Sequence, residues 1–208
     1  MGIIKRAVNK IVYPLKLKKL RKRLTNKSPC VISSNCNGAF MLHDLGVRFN
    51  TPTVNLLFKA GDYLKFVSDP KKYFDADLVE TNVSGISYPV GQLLDIRLFF
   101  MHYKSFDDAK AKWDERKKRV DLNDTDNIYL IFTDKDGCTY DDLKTFDALP
   151  YKHKVVFTHK PYPEIKSAFY IKGFEDKGEV GVLSDVDPKR FIKSRYFEQF
   201  DYVSFFNS

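Results

Sequence analysis

Short runs rich in β-branched and aromatic residues recur along the chain, separated by stretches whose apolar residues fall at helical spacing. Cys30-Val31-Ile32, Thr53–Leu57, Leu78–Thr81, DIRLFFMHY from Asp95, NIYLIFT from Asn127 and KVVFT from Lys154 read as strands. Helices are expected after Gly38, after Gly61, after Ser105, over TYDDLKTFDAL and over 188–200. Ser105 followed by Asp108 has the spacing of a capping box. This alternation predicts βαβ units and an α/β fold with a mainly parallel sheet flanked by helices, Rossmann-like and three-layered. DIRLFFMHY is apolar at nearly every position, which predicts a central strand, while AFYIKGF and EVGVLS predict a C-terminal hairpin before the last helix.

With 208 residues, 43% of them apolar, the chain can bury one substantial core, so residues 28–208 are expected to form a single α/β domain. Three cysteines without a C-x-x-C pair argue against a disulfide framework or a zinc knuckle and suit a reducing compartment. No apolar run is long enough to span a bilayer, and the first residues lack the pattern of a secretory signal. A cytoplasmic location is expected.

Charge is distributed unevenly. Residues 1–27 carry ten Lys or Arg and no acid, so the formal excess of +8 lies entirely in this arm. Ile4, Val8, Ile11 and Leu15 recur there at helical spacing, widened by Ile3, Ala7 and Val12, with most cations on the other side. Pro14 is expected to bend or break the helix near Tyr13. A basic amphipathic helix can lie in an anionic headgroup layer, so residues 1–27 predict peripheral attachment to the inner face of the cell membrane. The competing reading packs the apolar stripe on the protein's own core. The slightly acidic remainder offers no nucleic-acid-reading motif, and no specific nucleic-acid partner is expected.

Ligands of open α/β sheets bind beyond the carboxyl ends of the strands. Ser33, Ser34, Asn35, Cys36, Asn37 and Gly38 follow the first strand and open a helix, where backbone N–H groups can meet an anion. A capped polar turn explains the same residues, and the Walker and G-x-G-x-x-G spacings are absent. Cys36 would be a nucleophile if His43 or His102 served as its base. Asp95 and His102 flank one strand, seven positions apart, and should point to opposite faces. His102-Tyr103 at its carboxyl end is better placed for acid–base chemistry. Trp113, Arg116 and Arg119 share a helix side, as a stacking or phosphate contact or as a solvated face.

IFTDKDGCTYDDL resembles the D-x-D-G-T signature of haloacid-dehalogenase-like phosphatases, which would make Asp134 the nucleophile and Asp136 the general acid. The distant Lys and second acidic pair of that family have no clear counterpart, and a β-turn at Lys135-Asp136-Gly137 accounts for the same residues. A calcium loop fails for want of later oxygen ligands.

Three stretches, VISSNCNGAFMLHDLGVRFNTPTVNL, YPVGQLLDIRLFFMHYKSFDDAKAKWDERKKRV and KVVFT, together resemble a bacterial family of uncharacterised domains often labelled exopolysaccharide biosynthesis proteins. Matching residues are Ser34, Asn35, Cys36, Gly38, His43, Pro52, Thr53, Asn55, Tyr88, Pro89, Gly91, Asp95, His102, Tyr103, Trp113, Arg116 and Asn123. The resemblance implies a role in surface-polysaccharide assembly. With the basic arm, it leads to the expectation of a membrane-associated transferase acting on an activated sugar or lipid-linked glycan. Its site would combine the Ser33–Gly38 loop, Thr53–Asn55, Tyr88–Gly91 and Tyr103, with Arg116 on substrate and His102 as base. The acidic pair in Asp134-Lys135-Asp136 leaves a divalent-metal cofactor open. A non-catalytic membrane-docking partner of the assembly machinery is the alternative, and a phosphatase the third reading.

Overall fold

The computed structural model describes residues 2–208. In chain order the elements are α1 (Ile3–Arg23), β1 (Cys30–Ser33), α2 (Asn37–Leu45), α3 (Ala60–Ser68), α4 (Pro70–Asp75), β2 (Val79–Thr81), β3 (Val90–Leu93) and β4 (Ile96–Phe99). Then come α5 (Phe106–Lys117), β5 (Ile128–Thr133), α6 (Tyr140–Ala148), β6 (His153–Thr158), β7 (Ala168–Tyr170) and α7 (Tyr202–Asn207). Strands β1, β5, β6 and β7 form a parallel sheet in that order, and β2, β3 and β4 a separate antiparallel sheet. The parallel strands follow one another across the sheet without reversing direction, so strand order creates no switch-point crevice.

Both faces of the parallel sheet are covered, which is why β1, β5 and β6 read as continuous apolar runs. Side-chain alternation sends Ile32, Leu130, Phe132 and Val156 to a core shared with α3–α6 and the small sheet. Val31, Tyr129, Ile131, Val155 and Phe157 face a second core with α2, Leu24 and the C-terminal segment. Trp113 belongs to the first core, 1% exposed against Phe66 and Phe74, so it is no part of a surface stack with Arg116 and Arg119. Thr139 and Asp142 form the reciprocal cap of α6, and the Ser105 hydroxyl accepts from the Asp108 N–H at the start of α5.

DIRLFFMHY does not lie at the centre of the parallel sheet. Its strand is β4, hairpinned to β3 through Leu94, whose φ of 52° supplies the left-handed turn residue. Gly91 permits this packing: a Cβ there would lie 2.6 Å from Leu78 Cδ1. Near-continuous apolarity reflects burial of the small sheet against the first core, which local pattern cannot distinguish from a central parallel strand. The expected C-terminal hairpin is also replaced. Ala168–Tyr170 adds as a parallel strand to β6, and the last helix is α7 rather than 188–200.

Helix α1 continues through Pro14. The ring removes one backbone hydrogen bond, but the helix is held from both sides of it. Asn9 donates to Phe191 O and accepts from Lys193 N, Lys16 pairs with Glu198, Arg21 Nε donates to Asp44 O, and Leu24 is buried. The face of α1 on the body is thus the one carrying Asn9, Lys16, Leu20 and Leu24. Ile3, Ile4, Ile11 and Leu15 lie on the other side, 86%, 74%, 67% and 59% exposed.

Candidate functional site

The Ser33–Gly38 loop is cross-braced from within. Ser33 Oγ accepts from Gly38 N, Asn35 Oδ1 accepts from Asn37 N, and Asn35 Nδ2 donates to Thr133 Oγ1 at 3.1 Å. Gly38 lets α2 approach β1, since a Cβ would meet Ser33 Cβ and Val31 Cγ1 at 2.9 Å. Thr53 protects the outer edge of β1: its Oγ1 accepts from Ser33 N and donates to Val31 O, while Thr51 Oγ1 lies 2.9 Å away. Asn55 turns the chain with φ of 61°, a conformation Asn tolerates, and exposes its side chain. Ser34 Oγ remains buried with no hydrogen-bond partner among the described residues.

Cys36 donates to Leu56 O at 3.8 Å, and burial pushes its thiol pKa up, away from the thiolate a nucleophile requires. His43 lies on the exposed side of α2, beside Asp44. Asp95 belongs to the β3–β4 turn, where hydrogen bonds from Lys65 and Tyr73 lower its pKa. Neither joins the loop after β1. Tyr88 lines a separate hollow of about 370 Å³ with Glu80, Asn82, Pro89, Lys104 and Asp107. Gly91 is buried beneath Leu78 and Phe100. His102 is exposed just beyond β4, and Tyr103 accepts from Arg116 Nη1 at 3.0 Å. A bridge between Leu57 and Phe99 connects this region to the segment carrying Thr53 and Asn55. The structure therefore joins the 33–38 and 53–55 segments, places Tyr88 in another hollow, and assigns packing or ion-pair roles to Gly91 and Asp95.

The carboxyl edge of the parallel sheet pairs Asp134, which the D-x-D-G-T resemblance picks out, with His159, which no sequence pattern does. Asp134 follows β5 and His159 follows β6, both buried. Asp134 Oδ2 accepts from His159 N at 2.7 Å and lies 2.5 Å from His159 Nδ1, while Oδ1 accepts from Val180 N at 2.8 Å. The carboxylate thereby fixes the imidazole proton on Nδ1. His159 Nε2 has no partner among the described residues, and the His159 side chain is 10% exposed. With three N–H groups directed at its two oxygens, Asp134 is a held acceptor rather than a free nucleophile. The available signal was positional: His159 comes directly after KVVFT, as Asp134 comes directly after NIYLIFT.

Asp136 lies beside this pair in sequence, with φ of 61° and its carbonyl accepting from Ala60 N. Burial raises its carboxyl pKa, against Lys135 and Lys59, which lower it. Among the described residues no three His, Cys, Asp or Glu side chains gather in a metal-holding group, and no helix is long and apolar enough to cross a membrane.

These features define a mixed α/β protein with a four-stranded parallel sheet, a small antiparallel sheet and a polar cluster along the carboxyl edge of the parallel strands. The family described as "Domain of unknown function (DUF1919)" matches residues 7–207. An uncharacterised protein of Haemophilus influenzae is 45% identical over 204 residues, covering 98% of this chain and 96% of its own length. The chain belongs to the DUF1919 family, and the match includes most of α1.

Proposed function

We infer that the protein is a peripheral enzyme at the inner face of the cell membrane, transferring a group from an activated sugar or lipid-linked glycan during cell-surface polysaccharide assembly. One observation carries the membrane location: α1 is docked by one side and turns Ile3, Ile4, Ile11 and Leu15 outward. Exposed Lys10, Lys18, Lys19 and Lys22 flank or extend that stripe. Full transfer of an Ile or Leu side chain from water is worth about 1.5–3 kcal/mol, and each cation at an anionic surface about 1 kcal/mol. Together they suffice to hold a folded body at an anionic surface. The glycan assignment draws on the resemblance of residues 28–160 to proteins labelled exopolysaccharide biosynthesis, and donor binding at the carboxyl edge is read from the polar Ser33–Gly38 loop that opens α2, since strand order supplies no switch point.

A non-catalytic docking partner is the second reading. It is favoured by the internal hydrogen bonding of Ser33, Asn35 and Thr53, which leaves these groups fewer free sites for a substrate.

The test is fractionation of a polysaccharide-producing host carrying Ile4→Asp/Ile11→Asp/Leu15→Asp. The expected result is a folded variant in the soluble fraction with reduced surface glycan. A folded variant that remains with the membranes and sustains normal glycan would contradict the reading.

A further inference from the structure

We propose that His159 is the proton-accepting base of this protein, with Asp134 as its positioning residue. The inference rests on the group-transfer part of the reading above and names the group that does its chemistry. Three observations converge. The pair sits at the carboxyl ends of adjacent parallel strands β5 and β6, at the edge where Asn35 of the loop after β1 also bonds Thr133. Asp134 Oδ2 holds both the backbone N–H and Nδ1 of His159, which fixes the ring's orientation and tautomer. Nε2 is left without a hydrogen-bond partner among the described residues, on a side chain that is 10% exposed. At the end of β1, on the other side of β5, Ser34 Oγ is buried and unpartnered, a second polar group at this edge with unmet hydrogen bonding.

A histidine held only by packing can be enclosed at both ring nitrogens. His153 illustrates the contrast: its Nδ1 meets Ser208 Oγ at 3.0 Å and its Nε2 is sealed inside. At His159 one nitrogen is anchored to a carboxylate and the other is left without a protein partner, as acid–base work requires. In the proposed step an acceptor hydroxyl gives its proton to Nε2 as its oxygen forms a bond to the transferred group of a phosphate-activated donor. The bond from that group to the donor phosphate breaks, and the phosphate leaves with the electron pair. Asp134 stabilises the imidazolium, which then returns its proton to the leaving phosphate or to water.

His159→Asn separates base from scaffold, because the Asn amide N–H takes the place of Nδ1–H toward Asp134 while Nε2 is lost. Two arms test the pair. In the first, the whole protein is treated with diethyl pyrocarbonate at pH 7 and its peptides are weighed, with exposed His43 and His102 as internal controls. Modification of His159, together with an imidazole nitrogen spectrum placing its proton on Nδ1, is expected. Modified controls with an untouched His159, or a proton on Nε2, overturns the proposal. In the second, a producing strain lacking the gene is complemented. His159→Asn, with an unfolding midpoint near that of the wild type, is expected to give no more glycan than the deletion, since a general base is worth about 10²–10⁴-fold in rate. Full restoration by this variant overturns the base assignment. A deletion strain with normal glycan overturns the polysaccharide reading instead, and the first arm then decides the pair.

Discussion

Arg195 Nη1 meets Asp44 Oδ2 at 2.7 Å, joining α2 to the C-terminal segment across 151 residues of sequence. Burial pushes the Asp44 carboxyl pKa up, and the Arg195 guanidinium opposes that push. Arg21 Nε also donates to the Asp44 carbonyl, so α1, α2 and the C-terminal segment meet at one point. Removing one partner leaves the other charge poorly compensated. Asp44→Ala is expected to cost about 3 kcal/mol, read as a lower urea midpoint with an unchanged slope. A loss below about 0.5 kcal/mol, the range of an ordinary surface substitution, would remove this junction from the account.

His153 makes the C-terminus sensitive to pH. Its ring stacks on Tyr129 with centroids 4.8 Å apart and meets Ser208, while burial, then Lys152, lowers its pKa. The folded state therefore binds this proton less readily than the unfolded chain, whose His titrates near about 6.5. The contribution is present above that value and is lost as the pH falls through the lowered folded value. Thermal unfolding between pH 7.5 and pH 5 should show the loss, and His153→Phe should flatten the profile there. Equal slopes in the two proteins would assign the effect elsewhere.

Helix α2 needs a glycine at position 38. Gly38→Ala adds a Cβ 2.9 Å from Ser33 Cβ and Val31 Cγ1. Overpacking of this kind costs about 1–3 kcal/mol. Calorimetry is expected to show a lower midpoint despite alanine's better helix propensity, whereas a stabilised Gly38→Ala would mean that α2 and β1 are not in such close contact.

Cys36 should behave as an inert thiol. Burial raises its pKa, as it does that of Cys138, to about 12 in the latter case. Intact-mass measurement after brief iodoacetamide treatment at pH 7.5 is expected to find native protein essentially unmodified, and Cys36→Ser should keep full function. Rapid selective labelling of Cys36 would restore it as a candidate nucleophile.

The elements made by local contacts were legible in the sequence. Strands β1, β5 and β6 were visible because both faces of their sheet are buried, and the helix starts at Ser105 and Thr139 because capping uses neighbouring residues. The β3–β4 hairpin was not, because Val90–Leu93 is short and Leu94 gives no glycine signal for its left-handed turn. The candidate site was legible in part. The Ser33–Gly38 loop stood out by composition, but which hydroxyls are tied up internally depends on Thr53 and Thr133, which are distant in sequence. His159 escaped notice because the pairing with Asp134 spans 25 residues and becomes visible only when β5 and β6 lie side by side. The stripe on α1 was legible as amphipathic, yet which side meets the body is set by Asn9, Lys16 and Leu24 against residues near the other end of the chain.

Vesicle flotation tests the central claim, that the outward face of α1 holds the folded body on an anionic membrane. Full-length protein should float with vesicles containing phosphatidylglycerol, less so at high salt and hardly at all with purely zwitterionic vesicles. The Ile4→Asp/Ile11→Asp/Leu15→Asp variant should stay at the bottom of the gradient with its circular dichroism unchanged. Wild-type protein that ignores phosphatidylglycerol vesicles, or a folded variant that floats as well as the wild type, would contradict the account.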